Sequence, residues 1–130
     1  MGVFTRKQLQ MIHDVVLNNT FTFPMCHGGH LSFVFKGSKL VCVCPNIIMQ
    51  SKYANKSLSK YTVHAEVNSL LTLQRLGLKP SKLKLVSVGV HKNQIKNGYP
   101  CLNCCKQLKE FGFHVVFYSD LDGSFKKLHL

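Results

Sequence analysis

Two short stretches hold residue types that could do chemistry together: His64-Ala65-Glu66 and Pro100-Cys101-Leu102-Asn103-Cys104. Imidazole and thiolate are zinc ligands, and a catalytic zinc takes three protein ligands while keeping a fourth position open for water. Cys101 and Cys104 are three residues apart, so both thiols face one side of a helix. At a helix N-terminus the dipole and the free N–H groups favour thiolate over thiol. His64 then supplies the third ligand from a second helix start. Glu66 sits beside that ligand, where a carboxylate can take a proton from activated water and hand it to a leaving amine. Taken singly, each stretch is ordinary. His-x-Glu is common, and Cys-x-x-Cys also serves as a redox pair or as half of a structural zinc site. Cys105 offers a second spacing. It is the pairing of the two motifs, each at a helix start, that is specific.

The elements that must position these residues follow from periodicity. Leu9, Ile12, Val15 and Val16 fall near helical spacing, with Thr5 as N-cap and Asn18-Asn19 as terminator. Leu31 to Phe35, the turn Lys36 to Lys39 and the apolar run Leu40 to Cys44 predict a hairpin. Ile47 to Lys60 reads as a polar loop. A helix is predicted from near Thr62 through Leu76, with Gly77 at its left-handed cap. Leu83 to Val90 is the third strand, followed by a basic loop from His91 to Tyr99. Pro100 opens a helix that Gly112 closes, and Phe113 to Tyr118 is a further strand. Phe125 to Leu130 is a short strand or a short helix. Strands alternating with helices late in the chain imply parallel pairing there. The expected fold is α/β: a single-domain, three-layer α/β/α sandwich on a mixed sheet of about five strands.

Hydrophobic residues make up 45% of the 130, and charged residues 17%, a globular composition. No run approaches the ~18 consecutive apolar residues that a membrane span needs. The N-terminus lacks a signal-peptide core. The expectation is an intracellular, cytoplasmic protein in which clustered cysteines bind metal rather than form disulfides. The net charge of +12, from 17 basic against 5 acidic residues, is large for one domain. It suits an anionic partner, either a nucleotide phosphate or a nucleic acid, or else a merely basic solvated surface.

His-x-Glu followed by Pro-Cys-x-x-Cys is the signature of zinc deaminases, and the chain resembles the cytidine deaminase-like superfamily from the hairpin through Asp120. That resemblance implies one zinc ion per chain on His64, Cys101 and Cys104, with Glu66 as the catalytic acid/base. Hydroxide would attack the carbon bearing the exocyclic amine, ammonia would leave, and cytosine would become uracil. His64 to Leu71 and Tyr99-Pro100-Cys101 look like the corresponding segments of deoxycytidylate deaminases. Asn103 stands where adenosine deaminases of transfer RNA usually carry Met, and the tryptophan motif of polynucleotide cytidine deaminases is absent. Asn46 resembles the Asn that holds the sugar in these enzymes, but it reads equally well as a turn residue after a strand. Ala65, Tyr99 and Pro100 join Asn46 as expected substrate contacts.

The expected substrate is a nucleotide or nucleoside. The alternative is cytosine or adenine within single-stranded DNA or RNA, and a non-catalytic zinc module that binds nucleic acid is the third reading. For the polynucleotide reading, Lys52, Lys56, Lys60, Lys92 and Lys96 would rim the pocket, with Tyr53, Tyr61 and Tyr99 as stacking rings. Cys26, His27 and His30 form a second cluster, either a metal site or, the favoured reading, a pocket-lining loop. By analogy with relatives, a homo-oligomer is expected.

Overall fold

In the computed structural model, the described residues are 4–18, 29–48, 55–57 and 60–130, with backbone alone at 47–48, 55–57 and 60–63. Cys26, His27, Lys52 and Tyr53 lie outside them, as do the side chains of Lys56, Lys60 and Tyr61.

Helix α1 (Arg6–Leu17) starts at a capping box: Thr5 Oγ1 accepts from Gln8 N–H, and Gln8 Oε1 accepts from Thr5 N–H. Strands β1 (Gly29–Lys36) and β2 (Lys39–Pro45) make the expected hairpin. The segment read as a polar loop instead holds three short strands, β3 (Ile47–Ile48), β4 (Asn55–Ser57) and β5 (Lys60–Val63). They form a small antiparallel sheet in the order β3-β5-β4.

Because β5 continues through Val63, helix α2 (Ala65–Leu76) begins later than the apolar spacing predicts. His64, with φ −66° and ψ 155°, is its N-cap. Gly77 ends it at φ 69°, a left-handed conformation that glycine adopts without a Cβ penalty.

Strand β6 (Leu83–His91) turns at Lys92-Asn93 into β7 (Gln94–Lys96), a strand inside the segment expected to be a loop. Helix α3 (Leu102–Phe111) follows with Cys101 as N-cap. Strands β8 (Val115–Ser119) and β9 (Phe125–His129) complete the chain, and the last element is therefore a strand.

The main sheet runs β2-β1-β6-β8-β9, with β7 added on β6, so it has six strands. Pairing of β6 with β8 is parallel, as a helical crossover requires, and the rest is antiparallel. Side-chain alternation divides the interior into two layers. Leu31, Phe33 and Phe35 of β1 and Val86, Val88 and Val90 of β6 pack with Phe4, Ile12 and Val16 on the α1 side. Val34, Leu85 and Val116 point the other way, onto Leu70 and Leu73 of α2 and Leu108 of α3. The fold is thus the expected α/β/α arrangement. Among the described residues no helix is long and apolar enough to cross a membrane.

Candidate metal centre

Helices α2 and α3 both start at the end of the sheet where β1 begins and β6 and β8 finish. Their N-caps, His64 and Cys101, are brought together there. His64 Nδ1 lies 3.4 Å from Cys101 Sγ and 3.3 Å from Cys104 Sγ, and the two sulfurs are 3.4 Å apart. A tetrahedral zinc with Zn–S of ~2.3 Å and Zn–N of ~2.0 Å spaces its donors roughly 3.5–3.8 Å apart. The triangle is a few tenths of an ångström tighter, so these three atoms fit such an ion with a small outward relaxation.

Among the described residues this is the one cluster of His, Cys or carboxylate groups placed to hold a metal, and it has three members. Cys105 is not one of them; its thiol points at the Pro100 carbonyl oxygen, 3.8 Å away. No disulfide forms among the described cysteines.

The electrostatics suit a ligand set. Cys101 is lowered to about 4, first by its hydrogen bond with the Cys104 thiol and then, against the opposing effect of burial, by His64 and the Cys104 backbone N–H. Cys104 is pushed up by that same neighbour and by burial, because two thiolates in contact would repel. His64 is raised by its hydrogen bond to Cys101. The shifts share one cause, the mutual contact of the three groups: Cys101 is favoured as thiolate, Cys104 as thiol and His64 towards its protonated form, and a dication would displace protons from such a set.

Glu66 is the second part of the site. It lies in the first turn of α2 and is fully buried. Its Oε1 accepts from Ser87 Oγ at 3.0 Å and lies 3.2 Å from His30 Nδ1. His30 Nδ1 is also 3.2 Å from Ser87 Oγ. With the serine hydrogen given to the carboxylate, the ring nitrogen carries its own hydrogen towards the two oxygens.

Oε2 has no hydrogen-bond partner among the described residues. A buried polar atom left in this state costs about 1–3 kcal/mol, and more when charged. Burial raises the Glu66 carboxyl, but the hydrogen bond and charge of His30, with Cys104 and Ser87, outweigh it and hold the group below the ordinary range. Glu66 is therefore an ionised carboxylate, with Oε1 held by Ser87 and His30 and with the Cys104 thiol beside it.

The neighbouring elements fix this geometry. Ser69 Oγ donates to Ser32 Oγ at 2.7 Å, tying α2 to β1, and Asn68 Nδ2 donates to the Pro45 carbonyl at 3.0 Å. On the other side, Ser119 Oγ donates to the Lys96 carbonyl at 2.6 Å and accepts from Gly89 N–H at 3.0 Å. Gly98 N–H donates to the Ser119 carbonyl at 2.8 Å. These bonds lace residues 96–98 across the ends of β6 and β8 and deliver Pro100 and Cys101 to His64.

The expected substrate contacts have mixed placements. Asn46 Oδ1 accepts from His30 N–H at 2.7 Å, so this side chain fixes the start of β1, where His30 meets Glu66. Ala65 and Pro100 are buried next to the ligands. Tyr99 is 49% exposed and packs edge-on against Tyr118, with ring centroids 4.9 Å apart. Lys92 and Lys96 are exposed on the β6–β7 hairpin. Asp120 binds Lys126 at 2.7 Å, Asn97 and the Leu121 N–H, which together order the β8–β9 turn.

Ser87 is a site residue that neither motif reveals. The available signal is a hydroxyl interrupting the apolar run Leu85-Val86-Ser87-Val88. No protein-family model and no curated protein matches this chain.

Proposed function

We propose that the chain is a zinc-dependent hydrolytic deaminase, with His64, Cys101 and Cys104 holding the ion and Glu66 moving the proton. Within that class, the substrate is the cytosine of a nucleoside or nucleotide. The observation that carries the reading is the buried, unpartnered Oε2 of Glu66 beside a three-ligand cluster. A purely structural zinc would leave that atom unexplained. The choice of cytosine rests on the likeness of residues 64–71 and 99–101 to deoxycytidylate deaminases.

When bound, a zinc ion with three protein ligands supplies Lewis acidity towards water. The rest of the chemistry falls to the chain. Glu66 accepts a proton from water through Oε2 while Ser87 and His30 hold Oε1. Water oxygen joins the carbon that carries the amine, the C–N bond breaks, and Glu66 returns the proton to the departing nitrogen. One water is consumed and one ammonia released. In this reading the buried Pro100 and Ala65 would back the base, and the half-exposed Tyr99 would stand at its edge.

The test is ammonia release from cytidine, deoxycytidine, their monophosphates and short single-stranded oligonucleotides, with the wild type and Glu66→Gln. Removing a general acid/base costs about 10²–10⁴-fold, so the variant should lose turnover while still binding one zinc per chain. Equal rates for the two proteins, or a wild type that binds no zinc, would overturn the reading. Release from oligonucleotides alone would move the substrate to a polynucleotide.

A further inference from the structure

Four lysines gather at the end of the molecule away from the metal centre. From His64 to the far end of α2 is about 18 Å, and from His30 to Lys36 along β1 about 20 Å. At that far end, Lys36, Lys79 and Lys82 line one depression of about 240 Å³, together with Gly77, Leu78, Ser81 and Leu83. Lys39 sits directly across from Lys36 in the hairpin register. All four lysines are exposed. Like charges facing each other across a strand pair are destabilising, yet none of the four makes an ion pair among the described residues.

The chain's five acidic side chains are placed elsewhere. Asp14 is on α1, Glu66 is buried at the metal centre, and Asp120 and Asp122 hold Lys126. Glu110 lines the groove between α2 and α3 with Gln74 and Gln107.

Two further features indicate that the depression is held in shape. Buried Gln8, from the capping box of α1, donates Nε2–H to the Gly37 carbonyl at 2.8 Å and so fixes the turn between Lys36 and Lys39. Lys82 has φ 67°, a left-handed conformation costly for a lysine, locked by Leu83 N–H on the Pro80 carbonyl at 3.0 Å.

We propose that this end of the molecule is a docking face for the phosphate backbone of nucleic acid. Closely set, unneutralised cations match phosphates spaced along a strand. None of the residues lining the depression is aromatic, so the face contacts backbone and reads no sequence. Stable attachment to a membrane requires an exposed apolar or lipid element beside the charge; the two apolar lining residues, Leu78 and Leu83, are half-buried, while Lys36, Gly77, Lys79, Ser81 and Lys82 are exposed. Because the face stands about 20 Å from the metal centre, it binds independently of whether the chain deaminates anything.

The experiment is fluorescence anisotropy of labelled 20-residue single-stranded and duplex DNA and RNA, titrated with protein over a salt series. It compares the wild type with Lys36→Gln/Lys39→Gln/Lys79→Gln/Lys82→Asn; Asn tolerates the left-handed backbone at position 82. An equal-charge control carries Lys7→Gln/Lys106→Gln/Lys109→Gln/Lys127→Gln, exposed lysines outside both this face and the rim of the metal centre. Each phosphate that the protein no longer neutralises should flatten the slope of log affinity against log salt by about 0.9 on duplex or about 0.7 on single strands. The first variant should flatten it by the equivalent of roughly three phosphates, and the control by less than one. An unchanged slope in the first variant, or equal flattening in the control, would show only diffuse net charge and overturn the proposal. So would lysine-dependent sedimentation with phosphatidylserine vesicles in the absence of nucleic acid binding. Binding is read without turnover, so an inactive enzyme leaves the result intact.

Discussion

The two oxygens of Glu66 have different surroundings, and that difference assigns their roles. Oε1 is bonded by Ser87 and approached by His30, while Oε2 has no hydrogen-bond partner among the described residues and in the proposed reaction takes the proton of water. Hydrogen bonds to a charged group are worth roughly 1.5–3 kcal/mol, so Ser87→Ala should lower kcat about tenfold or more. KM and zinc content should stay the same, and Ser87→Thr should restore part of the rate. A variant that loses only melting temperature would make Ser87 a packing residue. The thiols make a second prediction. Cys101, lowered to about 4, is a thiolate throughout the range in which ordinary thiols, ionising near pH ~8.5, are still protonated. In metal-free protein at pH 6, iodoacetamide should therefore modify Cys101 before any other described cysteine, and added zinc should protect it. Cys44 is lowered too, to about 6, but only 6% of it is exposed. Peptide mass spectrometry reads the order of modification; a Cys101 rate that rises only above pH 8 would refute the assignment.

At the scale of elements, the site depends on how closely residues 94–100 cross β6 and β8. A Cβ on Gly98 would collide with the Ser87 carbonyl oxygen and stand 2.6 Å from Gly89 N, both backbone atoms that cannot swing aside. Gly98→Ala should cost about 1–3 kcal/mol of stability, and it should also weaken zinc binding, because Pro100 and Cys101 follow within three residues. Thermal melting and competition with a chromogenic chelator measure the two effects; intact zinc affinity would separate the crossing from the metal site. Neither β7 nor the start of α2 is apparent from periodicity. β7 spans three residues with an exposed, half-buried, exposed pattern, too short for alternation to register. Thr62 and Val63 extend the apolar spacing backwards, yet pairing with β3 draws them into β5. His64 consequently caps α2 instead of lying in its first turn, and its side chain turns towards α3.

For the whole molecule, a metal that binds the folded state alone stabilises it by mass action. Free zinc at a hundred times its dissociation constant adds about 2.7 kcal/mol. Stripping the ion with a chelator should therefore lower the melting temperature, and zinc should restore it. Glu66→Gln should keep this response, whereas Cys104→Ser should abolish it. A melting temperature indifferent to chelator would count against the centre. The ligand candidates His64, Cys101 and Cys104, the nearby carboxylate of Glu66, the layered α/β architecture and the parallel β6–β8 pair are all apparent from residue types and spacing. Such features are local: a motif, a helical period or a strand-helix-strand order is written within a few consecutive residues. The tertiary structure alone decided which oxygen of Glu66 is anchored, that Ser87 and His30 anchor it, and that four lysines from the β1–β2 turn and the α2–β6 turn gather about 20 Å from the metal centre. Glu66, Ser87 and His30 stand 21 to 57 positions apart, and only the docking of α2 onto a twisted sheet brings them together.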